Sequence, residues 1–278
     1  HKGWTAVTRH NTPWIGPMDR SFDEDVWELY DTNTDWSQSK DLAQEYPEKL
    51  AELQRLFLIE ATKYNVITLD DRTFERFNSD IAGRPQLIKG KSQMLFGGMH
   101  RLQEHVILQH HNKSYSLTAE IEVPESGADG VIVAMGAGIG GWSLYAKDGK
   151  LKHCYNFFGM ENYFAEGQQA IPTGKHQVRM EFVYDGGGLA KGGTVSLYVD
   201  GKKDGEGRVD RTVPMLFGTD TCDVGSDACS PVSPDYGPKD NEFSGTVNWV
   251  QIDIDENAED LDHLITPEER YKVAMARQ

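Results

Sequence analysis

Hydrophobic and polar residues alternate along this chain with two different periods. Residues 4–9 alternate with period two, and residues 26–30 form a second short run of strand character. From Pro47 the apolar residues recur every three or four positions, and Pro47 itself suits a first helical position. The apolar face consists of Leu50, Leu53, Leu56, Phe57 and Tyr64. Residues 1–84 therefore predict a small α+β subdomain, a sheet with one helix packed on it, and a linker.

From residue 85 the chain has the composition of an antiparallel β protein. Runs such as SLTAEIEV and QVRMEFVY alternate strictly, and Gly/Asp-rich turns such as YDGGG and KDGK separate them. The predicted strands are Ser92–Phe96, Tyr115–Val123, Gly130–Met135, Trp142–Ala146, Cys154–Phe158, His176–Tyr184, Thr194–Val199 and Thr246–Ile254. Short strands divided by turns predict a β-sandwich or jelly roll for residues 85–255.

The last residues return to a helical pattern. Thr266 suits a helix cap, Pro267 the first helical position and Glu269 the third, so residues 256–278 predict a C-terminal helical tail. The fold class expected for the chain is thus α+β and mainly β.

Charge and hydropathy restrict the partners. The 278 residues carry a formal net charge of −16, which disfavours nucleic acid because binding to phosphates requires a surplus of Lys and Arg. No apolar run approaches the length of a membrane span, so no membrane partner is predicted.

The first 65 residues resemble the C-terminal subdomain of type I, formylglycine-dependent bacterial arylsulfatases. The resemblance lies in HKGWTAVTRHNTPW and in DVWELYDTNTDWSQSKDLAQEYPEKLAEL. Residues 85–255, with SLYVDGK and FSGTVNWVQIDI, resemble the laminin-G or concanavalin-like sandwich that some of these enzymes carry. The segment DHLITPEERYKVAMARQ is similar to the end of such chains.

The resemblance implies a sulfuric ester hydrolase whose N-terminal sulfatase domain holds formylglycine and Ca²⁺. The family's nucleophile motif is C/S-x-P/A-x-R, and its nearest match here, Cys229-Ser230-Pro231-Val232-Ser233, lacks the Arg. The chain also begins at His1 without an initiator Met. We therefore expect a C-terminal fragment that borders the active site, is inactive alone, has the N-terminal sulfatase domain as its partner and belongs to a periplasmic or secreted enzyme.

Three basic residues are candidates for contacting the sulfate group. The family delivers a basic residue from near this Gly-Trp pair, and here His1, Lys2 and His10 surround it, although Thr5 stands where shorter relatives have Lys. The alternative is that these are ordinary solvated residues at the ends of a strand.

An acidic loop offers candidate calcium ligands. Asp220, Asp223 and Asp227 supply the hard oxygen atoms that Ca²⁺ prefers, at the place where sandwich modules carry a rim site. The spacing matches no EF-hand, and solvated loop carboxylates are the alternative.

Aromatic side chains of the predicted sandwich suggest a second possible function, the binding of a sulfated or other carbohydrate. Trp142, Tyr145, Tyr155, Phe157 and Tyr163 are candidates for a stacking platform, with packing in the core as the alternative. A carbohydrate-binding or architectural module is therefore the alternative to the sulfatase function.

Two further patterns have structural explanations. Residues 136–141 satisfy G-x-G-x-x-G, but a strand follows instead of a helix, so a glycine-rich hairpin turn is predicted. Cys222 and Cys229 are close enough in sequence to bridge, and Cys154 is expected to be a buried, inert thiol.

Overall fold

The polypeptide forms two compact units. The structure, a computed structural model, describes residues 1–10, 21–72, 74–218 and 220–254. These residues divide into His1–Arg76 and 77–254. The predicted C-terminal tail, 256–278, lies outside the described residues. None of the described helices is both long and apolar enough to cross a bilayer.

The first unit is a two-stranded sheet with one helix. Strands β1 (Trp4–Thr8) and β2 (Trp27–Asp31) pair antiparallel, and helix α1 spans Pro47–Lys63. The Phe57 ring lies 5.8 Å from the Trp27 ring, so the helix packs on the strands as predicted. Tyr64 ends the helix and is 64% exposed, so its predicted place on the packed face is wrong.

The second unit begins with the short helix α2 (Ser79–Ala82) and continues with twelve strands. These are β3 (Ser92–Phe96), β4 (Leu102–Gln103), β5 (Tyr115–Val123), β6 (Gly130–Ala137), β7 (Gly140–Lys147), β8 (Lys150–Phe157), β9 (Glu161–Ala170), β10 (Gly174–Tyr184), β11 (Gly193–Val199), β12 (Lys202–Val209), β13 (Thr221–Val224) and β14 (Thr246–Ile254). The predicted mainly-β fold with a small α+β part is confirmed.

The twelve strands form one antiparallel sheet that curls on itself. The strand order is β3-β14-β5-β10-β11-β12-β9-β8-β7-β6-β13-β4. We call the first six strands of this order the front half and the last six the back half. Side chains from both halves form a single core, in which Tyr115 of the front half lies 6.3 Å from Trp142 of the back half. This is the jelly-roll-like sandwich that the alternation predicts.

A loop covers the outer surface of the back half. Val232 packs there with Tyr145 and Cys154, and Tyr236 packs against the same cluster. The Tyr236 hydroxyl donates to the Asp227 carboxylate at 2.6 Å and lies 2.8 Å from the Ser143 hydroxyl oxygen. Strands β6, β7 and β8 of the back half therefore bury both of their faces, whereas β9 and the front half have side chains open to solvent on the outer face.

Candidate functional site

The outer surface of the front half carries polar and aromatic side chains from neighbouring strands. The strand register places Trp249 of β14 between Phe96 of β3 and Glu120 of β5. The next row contains Met94, Gln251, Thr118 and Arg179. We call this surface the polar face, defined by Phe96, Thr118, Glu120, Arg179, Glu181, Asn248, Trp249, Gln251 and Asp253.

A β-bulge turns Trp249 outward. Val247 faces the core, and strict alternation would place Trp249 on the same side. The register shifts between Val247 and Trp249, so Val250 and Ile252 fill the core and Trp249 lies half-buried on the outer surface. Its register partner Phe96 is 51% exposed. Two aromatic residues are therefore cross-strand neighbours on the outer surface at one edge of the sandwich.

Hydrogen bonds between side chains fix the polar groups beside these rings. The Asn248 amide donates to Glu120 Oε1 at 2.9 Å. The Arg179 guanidinium donates to Thr118 Oγ1 at 2.6 Å and to Glu181 Oε1 at 2.8 Å. The second Glu120 oxygen and the Trp249 indole N–H have no hydrogen-bond partner among the described residues. The surface thus presents ordered acceptors and donors next to an apolar ring.

Carboxylates predominate around the rings. Glu120 is the cross-strand neighbour of Trp249, and Asp253 follows on the same strand, where it accepts from the Gln251 amide at 2.9 Å. Arg179, a cation on the neighbouring strand β10, is paired with Glu181. This arrangement favours uncharged hydroxyl groups over anions, because an anion here would meet like charge.

The three predicted sulfate contacts are not brought together. His1 and Lys2 are exposed before the start of β1, whereas His10 follows the other end of that strand. A five-residue strand is roughly 15 Å long. His10 Nδ1 lies 2.8 Å from Asp25 Oδ1, and its Nε2 lies 3.5 Å from Asp71 Oδ2. An anion-binding role for these residues stays a prediction.

The three predicted calcium ligands accept protein hydrogen bonds. Asp223 Oδ1 accepts from the Arg101 N–H at 2.7 Å, and Asp227 Oδ2 accepts from the Val232 N–H at 2.8 Å. Asp220 Oδ1 accepts from the following backbone N–H at 3.1 Å. Burial raises the pKa of Asp227 to about 6. Within the described residues no group of three or more His, Cys, Asp or Glu side chains is placed to hold a metal. The site stays a prediction.

The aromatic platform suggested by the sequence is wrong for four of its five members. Trp142, Tyr145, Tyr155 and Phe157 are buried, and only Tyr163 is partly exposed. Trp142, Tyr155 and Phe157 belong to the main core, because alternation along β7 and β8 turns them inward. The core alternative is confirmed for these four residues.

The cysteine and glycine patterns have structural roles. All three cysteines are free, so the possible Cys222–Cys229 bridge is not formed. Cys154 is buried, and burial raises the pKa of its thiol to about 12, which agrees with the inert thiol predicted. Residues 136–141 form the hairpin between β6 and β7, as predicted.

Comparison with known proteins finds distant structural similarity only. No protein-family model and no curated protein sequence matches the chain. The CBM40 domain of the Ruminococcus gnavus IT-sialidase is similar at 12% identity with a TM-score of 0.41, over 65% of this chain and 97% of that domain. Domains LG4-5 of the mouse laminin alpha1 chain are similar at 15% identity with a TM-score of 0.35, over 64% and 44%. Sheep galectin-11 is similar at 11% identity with a TM-score of 0.31, over 60% of this chain and 98% of the galectin. Sequence identities and TM-scores this low identify no ligand for this chain.

Proposed function

We propose that residues 77–254 form a carbohydrate-binding module that holds a neutral glycan on the polar face. The observation that carries this proposal is the aromatic pair Trp249 and Phe96 beside hydrogen-bonded polar groups on an open sheet surface. The flat ring of Trp249 suits the C–H face of a pyranose, and its polar edge can donate at the same time. The Glu120 carboxylate and the Asn248 amide suit sugar hydroxyls, which both donate and accept.

The charge of the polar face selects against sulfated and other acidic sugars. Glu120 lies directly across from Trp249, Asp253 lies on the same face four positions along β14, and Arg179 is paired with Glu181. Sulfate or carboxylate groups on a bound sugar would lie near these carboxylates in a chain whose net charge is −16. The repulsion between exposed charges should weaken as salt is added.

The test is titration of the protein with neutral oligosaccharides chosen by a glycan array. Trp249→Ala should weaken binding about 30-fold, because loss of a central stacking Trp costs about 2 kcal/mol. A sulfated form of the same glycan should bind about tenfold more weakly at low ionic strength, and the difference should shrink in about 0.5 M salt.

A matched aromatic residue on the other half of the sheet provides the control. Phe164 is 40% exposed on β9, outside the polar face, so Phe164→Ala should bind as the unaltered protein does. The proposal fails if no neutral glycan binds, if Trp249→Ala binds with unchanged affinity, or if the sulfated form binds more tightly.

We also propose that residues 1–76 are the C-terminal subdomain of an arylsulfatase. The observation that favours this is the antiparallel pair β1–β2 with α1 packed on it, the arrangement that the sequence resemblance implies. The same helix leaves Leu58 and Ile59 exposed, as a surface for a neighbouring domain would require.

The chain alone should not hydrolyse sulfate esters. Its sequence contains no C/S-x-P/A-x-R motif, so no formylglycine nucleophile can be generated within it. Incubation with 4-nitrophenyl sulfate and Ca²⁺ should release no more 4-nitrophenol than a matched blank. Turnover above the blank, lost on substitution of a residue of this chain, would refute the expectation.

A further inference from the structure

A cleft of about 670 Å³ opens in the second unit, away from the residues that define the polar face. Its lining comes from three segments of the chain, with residues drawn from within 77–88, from within 103–110, and from Met215, Leu216, Gly218 and Asp220, together with Met135. The volume lies within the range of small-molecule sites in proteins. Each segment contributes a different kind of surface.

The floor of the cleft is apolar. Ile107, Leu108 and Met135 line it and are at most 4% exposed. His110 lies with them, but both of its ring nitrogens are occupied. Nε2 accepts from the Trp142 indole N–H at 2.8 Å, and Nδ1 therefore carries the proton and donates to the Leu108 carbonyl at 2.9 Å. The neutral ring has no polar atom left for a ligand.

Buried hydrogen bonds fix the walls in place. The Glu104 carboxylate accepts from the Phe217 N–H at 2.9 Å and lies 2.6 Å from His111 Nε2. The other nitrogen of His111 donates to the Val213 carbonyl at 2.8 Å. The side chain of Asn78, only 1% exposed, donates to the Pro214 carbonyl at 2.8 Å. The three segments are thus tied together, and the cleft does not have to form when a ligand enters.

The mouth of the cleft is polar and carries unused hydrogen-bonding groups. Gln103 and His105 are exposed there, and neither side chain has a hydrogen-bond partner in the described part of the chain. An amide and an imidazole can each donate and accept. Arg84 and Asp220 add opposite charges at the same opening.

We propose that this cleft is a second binding site, for a small molecule that has an apolar ring and a hydrogen-bonding edge. The ring would occupy the floor formed by Leu108, Met135 and His110. Its polar edge would face Gln103 and His105 at the mouth, because the floor offers no hydrogen bond and burial of an unpaired polar group there is unfavourable. A phenol is the simplest molecule of this class.

The test uses 4-methylphenol as the probe. Saturation-transfer NMR and calorimetric titration should show binding at roughly millimolar concentration, which is what so few heavy atoms can provide. Leu216→Trp should fill the cleft and weaken binding at least tenfold, and Gln103→Ala, an exposed mouth variant, should weaken it about threefold. Myo-inositol, which has hydroxyl groups but no apolar face, should not bind.

Two controls separate this proposal from glycan binding. Trp249→Ala should retain 4-methylphenol binding, and Val183→Trp, at an exposed position on β10, should also retain it. The thermal midpoint of Leu216→Trp reports whether that variant is folded, and Gln103→Ala tests the site if it is not. The proposal is overturned if 4-methylphenol fails to bind, if folded Leu216→Trp and Gln103→Ala both bind it unchanged, or if myo-inositol binds equally well.

Discussion

Replacement of Trp142 by alanine is expected to lower the free energy of unfolding of the sandwich by about 5 kcal/mol. The indole is fully buried in the core and packs edge-on against His110, with ring centroids 5.7 Å apart. Loss of a buried Trp costs about 4 kcal/mol through lost burial and the cavity that remains. His110 Nε2 also loses its donor, and an unpaired buried acceptor costs about 1 kcal/mol more.

Trp142→Phe separates these two contributions. It keeps most of the apolar volume but removes the indole N–H, so a loss of about 2 kcal/mol is expected. Urea denaturation followed by far-UV circular dichroism of the β-sheet measures both variants. Trp36→Ala is the control, because Trp36 is 86% exposed, and its effect should stay below about 0.5 kcal/mol. A change of less than about 1 kcal/mol in Trp142→Ala would contradict the assigned role of Trp142.

Strands were predictable from the sequence where large apolar side chains fill their inward positions. The bounds of β5 (Tyr115–Val123) and β14 (Thr246–Ile254) are confirmed to the residue. By contrast, β12 (Lys202–Val209) is not among the predicted strands, because its inward positions include Gly205 and Gly207. A Cβ on Gly205 would lie 2.3 Å from the Glu166 carbonyl oxygen. The close approach of β9 and β12 thus excludes the side chains that would have given an alternating pattern.

The candidate site was harder to predict than the fold. Sequence alone does not show which surface of the sheet a loop covers. The loop covers Tyr145, one of the aromatic residues that the sequence suggests for a stacking platform. Trp249 lies in a predicted strand but is not among the aromatic residues that the sequence suggests for a stacking platform. If the inward positions are counted backward from Ile252 and Val250, Trp249 faces outward. If they are counted forward from Val247, Trp249 faces inward. The bulge that decides between them is visible only in the register.

A buried histidine makes the stability of the sandwich depend on pH. His153 lies on β8 between its register partners Leu144 and Ala165, and neither ring nitrogen has a hydrogen-bond partner within the part of the chain that the structure describes. Burial lowers the pKa of His153 to about 3, and that of His110 likewise. The unfolded chain takes up protons at these residues below about pH 6.5, but the folded chain does not. With respect to these two histidines, the free energy of unfolding is therefore highest above that pH and falls as the pH decreases.

Asp227 opposes this trend. Its pKa is raised to about 6 in the folded protein, so the folded state keeps a proton that the unfolded state releases. Between pH 6 and pH 5 the two histidines together bind about two more protons in the unfolded chain than in the folded one, and Asp227 binds about one fewer. The unfolded chain therefore binds a net excess of about one proton. The expected slope there is about 1.4 kcal/mol of stability lost per pH unit. Carboxylates whose pKa is lowered in the fold add to the loss only at more acidic pH.

His153→Leu should remove most of this slope and stabilise the protein. The leucine fills a similar space among Leu144 and Ala165 without an unpaired polar atom, which should raise the free energy of unfolding by about 1–2 kcal/mol at pH 7. At pH 5 the gain should be about 2 kcal/mol larger, because the unfolded variant has one histidine fewer to protonate. Urea denaturation at both pH values measures this, with His105→Leu, an exposed position, as the control. If the two variants keep the same slope as the unaltered protein, His153 is not the group that titrates on unfolding.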